Sequence, residues 1–289
     1  MDKQALISVI ARSGGKHHAI KEADAFFTKL EYLRLTGRYE LLQSRLLQAN
    51  DKSNFLALAL EVNFAYQFEY RGLALIYEIK QNAQHGSSVD FLWKASNGYS
   101  VFFELRLLQQ MQPIADGIKS QLQNSKMYQI FRGGQHEAHE VVRIQKTILV
   151  KVQDKKGNPI KFFSTAPNVV NIVVLDVTDN ILGAIDFNDC LLATYGDPSV
   201  EEMYHRQVFG LFQEDMPKYP QHIRDLATKY AHIRRTLHGV LFLFKKPNTG
   251  ILAYQLEQYL IWNRALMTGE RAKIVCADIF RAIPVRSQN

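Results

Sequence analysis

The chain has 289 residues, of which 47% are hydrophobic and 22% charged, and its formal net charge is +7 at pH 7. This length and composition suit a globular protein with a large core, built as one elaborate domain or two small ones. No apolar run approaches the roughly 20 residues of a membrane-spanning helix, and the N-terminus lacks a signal-peptide core, so we expect a cytoplasmic protein with no membrane partner. Cysteine occurs only at Cys190 and Cys276, too few for a disulfide framework or a thiolate zinc site. Any bound metal would therefore have oxygen or imidazole ligands.

The excess of basic side chains indicates a polyanionic partner, because Lys and Arg gain affinity for phosphates by releasing counterions. Many basic proteins bind no nucleic acid, so charge alone leaves other partners open. The sequence contains no phosphate loop ending in Gly-Lys-Ser/Thr, no Gly-x-Ser-x-Gly and no His-Glu-x-x-His. The absence of these motifs argues against a kinase, a serine hydrolase and a zinc hydrolase.

Residues 1–50 have apolar stripes at helical spacing and predict a helical N-terminal extension, followed by one domain over residues 51–289. The next prediction is a helix from Phe55 to Arg71, capped by Ser53-Asn54 and largely buried. Glu61 stands among its apolar residues. It is either a residue at the solvent boundary or part of a polar site.

After a connecting segment over residues 73–86, the stretch from Ser88 to Arg106 predicts two strands joined by a turn at Asn97-Gly98. Asp90 lies in the first strand. Alternation on the second strand places Glu104 and Arg106 on one face. A charged pair at the end of an apolar strand is costly to bury unless it is paired or holds a metal. The pattern therefore indicates either a functional site or an ion pair on an outer face.

The remainder of the chain alternates predicted helices with buried strands, which is typical of an α/β sheet covered by helices on both faces. The predicted helices cover residues 107–131, 136–156 and, with interruptions near Pro217 and Pro220, 200–236. Buried strands are predicted over residues 171–177 and 238–244. Residues 251–266 are predicted to form a helix or an irregular covering segment, and residues 273–280 a last strand.

This order of elements resembles the PD-(D/E)XK nuclease superfamily, which includes restriction endonuclease-like and Holliday-junction-resolving enzymes. The resemblance spans roughly Phe55 to Val177 and depends on the order of elements more than on the short motif itself. It implies a restriction endonuclease-like mixed central sheet flanked by helices. It also implies a metal-dependent nuclease that hydrolyses phosphodiester bonds, and our hypothesis for the substrate is DNA. By analogy, a homodimer would suit cleavage of both strands of a duplex.

The resemblance also implies roles for individual residues. Asp90, Glu104 and the Leu105 carbonyl would bind Mg²⁺ or Mn²⁺, and Glu61 would be an outer metal ligand. Gln145, or a Lys of the same helix, would contact phosphate or water. Helical spacing does not choose among the candidates on that helix, which are Arg143, Gln145, Lys146 and Lys151.

The sequence departs from the family pattern at two positions. Val89 precedes Asp90 where proline is common, and Arg106 stands where the motif has lysine. Lysine can lower its pKa and help to deprotonate water, whereas arginine stays charged and acts only electrostatically. Arg106 therefore either supports the transition state or neutralises Glu104 in an inactive domain. The alternative function is a catalytically inactive module of the same fold that binds nucleic acid or protein.

Overall fold

The structure, a computed structural model, describes residues 3–12, 19–80, 87–109, 120, 137–163, 166–177, 185–196, 208–245, 252, 256–282 and 285–287. The helices in these ranges are α1 (Lys3–Arg12), α2 (Ala19–Leu35), α3 (Glu40–Leu47), α4 (Lys52–Glu69), α5 (Glu137–Val152), α6 (Phe187–Tyr195), α7 (Gln221–Lys229), α8 (Ala231–Thr236) and α9 (Gly269–Ala282). The strands are β1 (Leu75–Lys80), β2 (Ser88–Lys94), β3 (Ser100–Leu107), β4 (Val169–Asp176), β5 (Gly239–Lys245), β6 (Leu256–Trp262) and β7 (Val285–Ser287).

The strands form one mixed sheet in which spatial order follows chain order, from β1 at one edge to β7 at the other. The pairs β1–β2, β2–β3 and β5–β6 are antiparallel, whereas β3–β4, β4–β5 and β6–β7 are parallel. Every residue of β4 is buried, as expected for a central strand with helices on both faces. This confirms the buried strand predicted over residues 171–177.

Two hydrophobic clusters lie on opposite faces of the sheet. In one cluster, helices α1, α2, α3, α4 and α9 pack against sheet side chains such as Phe91, Phe103 and Val174. In the other, helices α5, α6, α7 and α8 pack against sheet side chains such as Val173 and Leu175. Adjacent residues of β4 therefore enter different cores, because strand side chains alternate between the two faces. The predicted fold class, an α/β mixed sheet with helices on both faces, is confirmed and is consistent with a restriction endonuclease-like architecture.

The N-terminal helices belong to the first of these clusters. Leu6 of α1, Leu33 of α2 and Leu42 of α3 are all fully buried in it, together with residues of α4 and the sheet. Helices α1, α2 and α3 therefore pack in the same core as α4. The division into a helical extension and a single following domain stays a prediction.

The β2–β3 hairpin forms where it was predicted because its turn chemistry is local. The Gly98 amide donates to the Ala95 carbonyl, and Gly98 has φ +86°, a conformation that favours glycine. The Asn97 side chain accepts from the Tyr99 amide at 3.2 Å, as turn-forming Asn does. A tight turn with this register fixes which residues of the two strands lie opposite each other.

The start of α4 was predicted incorrectly. Asp51, rather than Ser53 or Asn54, is the N-cap, and its side chain accepts a hydrogen bond from the Asn54 amide at 2.8 Å. A carboxylate is an equally good cap, and its position two residues earlier starts the helix at Lys52. The helix itself, including its heavy burial, is confirmed.

Three other predictions were wrong in the edge regions of the sheet. The connecting segment over residues 73–86 contains β1, in which only Leu75 is buried and alternation is weak. Residues 251–266 contain β6, and residues 273–280 lie within α9 instead of a strand. The buried residues of α9 have helical spacing, at Ala272, Val275, Cys276 and Ile279, which is a signal that was present in the sequence.

The helix predicted over residues 107–131 lies almost entirely outside the described residues. In the part of the chain that is described, no helix is long and apolar enough to cross a membrane. Cys190 and Cys276 are both buried and unpaired with each other.

Candidate active site

Asp90 and Glu104 come together at the end of the paired part of the β2–β3 hairpin. The β2–β3 register runs to Phe91 opposite Phe103, so Asp90 and Glu104 are the next residues on the two strands. The Asp90 Oδ2 atom accepts a hydrogen bond from the Leu105 amide at 2.6 Å. The Asp90 carboxylate therefore lies against the β3 backbone at the residue that follows Glu104.

Glu104 is fully buried and is bound by two lysines. Lys151 Nζ, from α5, donates to Glu104 Oε1 at 2.5 Å, and Lys161 Nζ lies 2.5 Å from Glu104 Oε2. The carboxylate has no exposed surface, whereas the Lys151 and Lys161 side chains are 22% and 13% exposed. A carboxylate this deep needs such partners, because an unpaired buried charge is strongly destabilising.

Glu61 enters the site from α4, and its orientation is set by β1. The Tyr77 hydroxyl donates to Glu61 Oε2 at 2.8 Å, and Glu61 is half-buried. Burial, followed by the charge of Asp90, raises the pKa of Glu61 to about 8. This influence of Asp90 on Glu61 identifies them as neighbouring carboxyl groups in a poorly hydrated region.

The pKa of Asp90 is also displaced upward. Burial and then the charge of Glu104 raise it to about 7, against the opposing effects of Lys151, the Leu105 amide and Lys161. Lys151 is affected in the other direction: burial lowers its pKa, but the charges of Glu104 and Asp90 outweigh burial and raise it above the ordinary value. At neutral pH, Lys151 is therefore an ammonium ion, while Asp90 and Glu61 hold their protons more tightly than exposed carboxyls do.

The outer side of the site is formed by Glu78 of β1. Glu78 has φ +55°, an uncommon value for a residue other than glycine. It forms an ion pair with Arg45 of α3 and accepts a hydrogen bond from Ser88 of β2. Arg45 also donates to the Tyr77 hydroxyl at 3.3 Å. The N-terminal helices thus position the tyrosine that binds Glu61.

Arg106 lies two residues beyond Glu104 on β3, so its side chain is on the same face of the sheet, and it is exposed. Its positive charge lowers the pKa of Lys151, so the two side chains are close enough to interact electrostatically. Arg106 is thus a cation at the rim of the site, while two lysines from other elements bind the buried Glu104.

The structure does not bring Gln145 to these carboxylates. Its amide nitrogen donates to the carbonyls of Ala193 and Phe209, at 3.1 and 2.8 Å, and its oxygen accepts from the Tyr230 hydroxyl. These partners connect α5 to α6, to Phe209 and to the residue before α8, so the Gln145 side chain belongs to the second core, and its contact with phosphate or water stays a prediction. Lys151, six residues later on the same helix, is the residue of α5 that reaches the site.

Lys161, Tyr77 and Arg45 were missed by the sequence analysis. Each lies in a segment without a motif, and each meets the site only through the tertiary fold. For Lys151 a signal existed, since it was one of four polar candidates on the helix. Its selection required knowledge of which side of α5 faces β3.

The donor chemistry of the site suits a hard divalent cation, since Asp90, Glu104 and the Leu105 carbonyl are potential oxygen ligands. Burial, followed by neighbouring carboxylates, raises the pKa values of Asp90 and Glu61, and a bound cation would oppose both effects. Against this, no three His, Cys, Asp or Glu side chains in the described ranges are close enough together to form a metal cluster. Both oxygens of Glu104 also contact lysines. The metal ligands stay a prediction.

No family model matches the chain, and no curated protein matches it significantly. Among solved structures, the chain is similar to Pyrococcus furiosus SfsA in complex with Ca²⁺, at 13% sequence identity and a TM-score of 0.22. The match covers 71% of this chain and 61% of the SfsA chain, which is less than two thirds of that protein. A likeness at this TM-score does not establish a shared fold or activity, and membership of the PD-(D/E)XK superfamily stays a prediction.

Proposed function

We propose that this protein is a metal-dependent nuclease that hydrolyses phosphodiester bonds in DNA, with Asp90 and Glu104 at its active site. The observation that carries the proposal is the meeting of Asp90, Glu104 and Lys151 at the backbone of Leu105. Two carboxylates from adjacent strands and a lysine from a helix converge there, in a chain with a net charge of +7. This combination suits the hydrolysis of an anionic substrate.

In this proposal Mg²⁺ or Mn²⁺ is held by Asp90, Glu104 and the Leu105 carbonyl, with Glu61 as an outer ligand. The bound ion would neutralise charge on the phosphate and acidify a water molecule.

The protein's own cations supply the rest of the electrostatic stabilisation. Lys151 has a raised pKa and stays charged, so we assign it a role in stabilising negative charge rather than in removing a proton from water. Arg106, exposed at the rim, is placed to hold a phosphate of the substrate. In this proposal Lys151 provides the ammonium group that the motif lysine would supply, since Arg106 stands at the position of that lysine.

A second function is favoured by one specific observation. Both oxygens of the buried Glu104 contact lysine ammonium groups, an arrangement that neutralises the carboxylate without a metal. A catalytically inactive module that binds nucleic acid, or a protein-interaction module of the same fold, would retain such an ion cluster for its structural value.

Cleavage assays separate these functions. The purified protein is incubated with Mg²⁺ or Mn²⁺ and supercoiled plasmid, single-stranded DNA, branched DNA or RNA. We expect cleavage of DNA by the wild type and a loss of about 10³-fold or more, on the order of 4 kcal/mol, for Asp90→Asn or Glu104→Gln. Glu270→Gln, at an exposed carboxylate of α9 away from the site, is the matched control and should cleave normally.

Circular dichroism and thermal unfolding must show that each variant is folded, because Glu104 is buried between two lysines. If the folded wild type cleaves none of these substrates with either ion, the nuclease proposal fails. Salt-dependent binding without product would then support the inactive nucleic-acid-binding module, and no binding at low salt would support a protein-interaction module.

A further inference from the structure

An open groove of about 1090 Å³ lies at the C-terminal end of α5, the helix that carries Lys151. One wall is the last turn of α5 with the segment that follows it, up to Ile160. The other wall is formed by α7 and α8. The groove therefore lies on the face of the sheet that carries the second hydrophobic cluster, away from the N-terminal helices.

Exposed cations line both walls of this groove. The five basic side chains are Lys146, Lys155, Lys156, Lys229 and Arg235. Within the ranges that the structure describes, none of these five forms an ion pair with a carboxylate. Their charges are therefore available to an anionic partner.

Two carboxylates also line the groove, but their oxygens have local hydrogen bonds. Asp154 accepts from the amides of Lys156 and Asn158 and from the Asn158 side chain, which fixes the turn after α5. Asp225 accepts from the Gln221 side chain one helical turn earlier. With five cations and two carboxylates, the lining has an excess of three positive charges.

The groove and the active site share structural elements. Helix α5 directs Lys146 into the groove and Lys151 to Glu104, five residues apart. The next segment contributes Ile160 to the groove and Lys161 to Glu104. A further link is His232, a groove residue whose Nε2 lies 3.1 Å from the Lys161 carbonyl oxygen. A chain of phosphates bound in the groove would therefore contact the two segments that carry Lys151 and Lys161.

We propose that this groove binds the sugar–phosphate backbone of the DNA strand on which the active site acts. This inference rests on the proposed function and adds to it the surface that holds the substrate. Lysines on two facing walls bind phosphates irrespective of base sequence, since they form ion pairs with the backbone and displace its counterions. The open shape suits a polymer that enters and leaves at the ends.

The test is a charge reversal on both walls, compared with an identical charge reversal elsewhere. The groove variant is Lys146→Glu with Lys229→Glu. The control is Lys94→Glu with Lys273→Glu: Lys94 lies at the end of β2 near the turn, and Lys273 lies on α9, which packs on the opposite face. All four lysines are exposed, and each pair changes the net charge by the same amount.

Binding is measured in EDTA with a fluorescein-labelled 30-nucleotide DNA, single-stranded and as a duplex, across a range of NaCl concentrations. EDTA keeps binding independent of cleavage. We expect the groove variant to lose about tenfold or more in affinity near 0.1 M salt and its salt slope to become shallower by about 0.7 to 0.9 per lost phosphate contact. The control pair should change affinity less than threefold.

Each result has a definite meaning. Equal weakening by both pairs, or no weakening by the groove pair, overturns the groove inference even if the protein cleaves DNA. Binding of polyglutamate at the same salt as tightly as DNA overturns it also, since the groove would then accept an acidic protein segment. Groove-dependent DNA binding without cleavage in Mg²⁺ or Mn²⁺ upholds the groove as a DNA-binding surface and defeats the proposed nuclease activity.

Discussion

The protein buries carboxylates in two regions, and the surroundings of the carboxylates differ between the two. Glu69, at the end of α4, is 5% exposed and accepts hydrogen bonds from Arg38, the Tyr39 hydroxyl and the Leu75 amide. It is one carboxylate with a full set of fixed donors. The β2–β3 site instead gathers Asp90 and Glu61 near Glu104. Burial and then the charge of Glu104 raise the pKa of Asp90, and burial and then the charge of Asp90 raise the pKa of Glu61.

The contrast separates a structural carboxylate from candidate functional ones. At Glu69 each oxygen has partners, and the group connects α3, α4 and β1. At the β2–β3 site the carboxyl groups are not fully compensated by donors, since the pKa values of two of them are raised. Electrostatic strain of this kind is concentrated at functional sites more than elsewhere in proteins.

The largest effect that would sharpen this contrast is expected at Glu69. Glu69→Ala removes the acceptor of the buried Tyr39 hydroxyl and the Leu75 amide, and we expect the free energy of unfolding to fall by about 4 kcal/mol. Urea denaturation measures this change. Glu69→Gln, which retains an acceptor, should lose less. DNA cleavage per folded molecule should stay normal in both variants; a specific loss of cleavage would contradict the structural role.

The next effect is a pH dependence confined to the β2–β3 site. The pKa values of Asp90 and Glu61 are raised in the folded protein from ordinary values near 4, so between pH 5 and pH 8 the folded state holds more protons than the unfolded chain. Stability is therefore lost as the pH rises, on the order of 3 kcal/mol for the metal-free protein.

Other groups also titrate in this range, so the comparison requires a variant. In Asp90→Asn with Glu61→Gln, this loss should disappear, and the difference in unfolding free energy between variant and wild type should grow from pH 5 to pH 8. A difference that is constant with pH would contradict the raised pKa values of Asp90 and Glu61.

The smallest effect is the response of stability to divalent ions. At ten times its dissociation constant, Mn²⁺ should stabilise the EDTA-treated protein by about 1.4 kcal/mol, because it binds only the folded state. Thermal unfolding with and without Mn²⁺ at pH 8 measures the shift. Asp90→Asn should abolish it, and Glu69→Gln should retain it. An equal response in both variants would place the ion elsewhere.

The sequence predicted the parts of the site whose structure is local. The turn at Asn97-Gly98 fixed the hairpin, and alternation placed Glu104 and Arg106 on one face, as the structure confirms for the strand. The buried helix that holds Glu61 was also predicted. In each case the pattern depends on residues close together in the chain, where backbone preferences and hydrophobic spacing are decisive.

Other parts depended on contacts between distant segments. Strand β1 has little alternation and exists because it pairs with β2, while β6 pairs along its full length with β5. The sequence could not distinguish Gln145 from Lys151 for a related reason. Both are polar residues on α5, and only the packing of that helix shows that Gln145 binds carbonyls of the second core.

By itself, then, the sequence determined the fold class, the hairpin and the places of Asp90 and Glu104 on its two strands, because hydrophobic periodicity and turn chemistry act over short distances. Only the tertiary structure decided which cations accompany them. Lys151 and Lys161 lie 47 and 57 residues beyond Glu104, and no spacing rule spans such separations. Their meeting at Glu104 follows from the burial of a charge that must be neutralised within the folded protein.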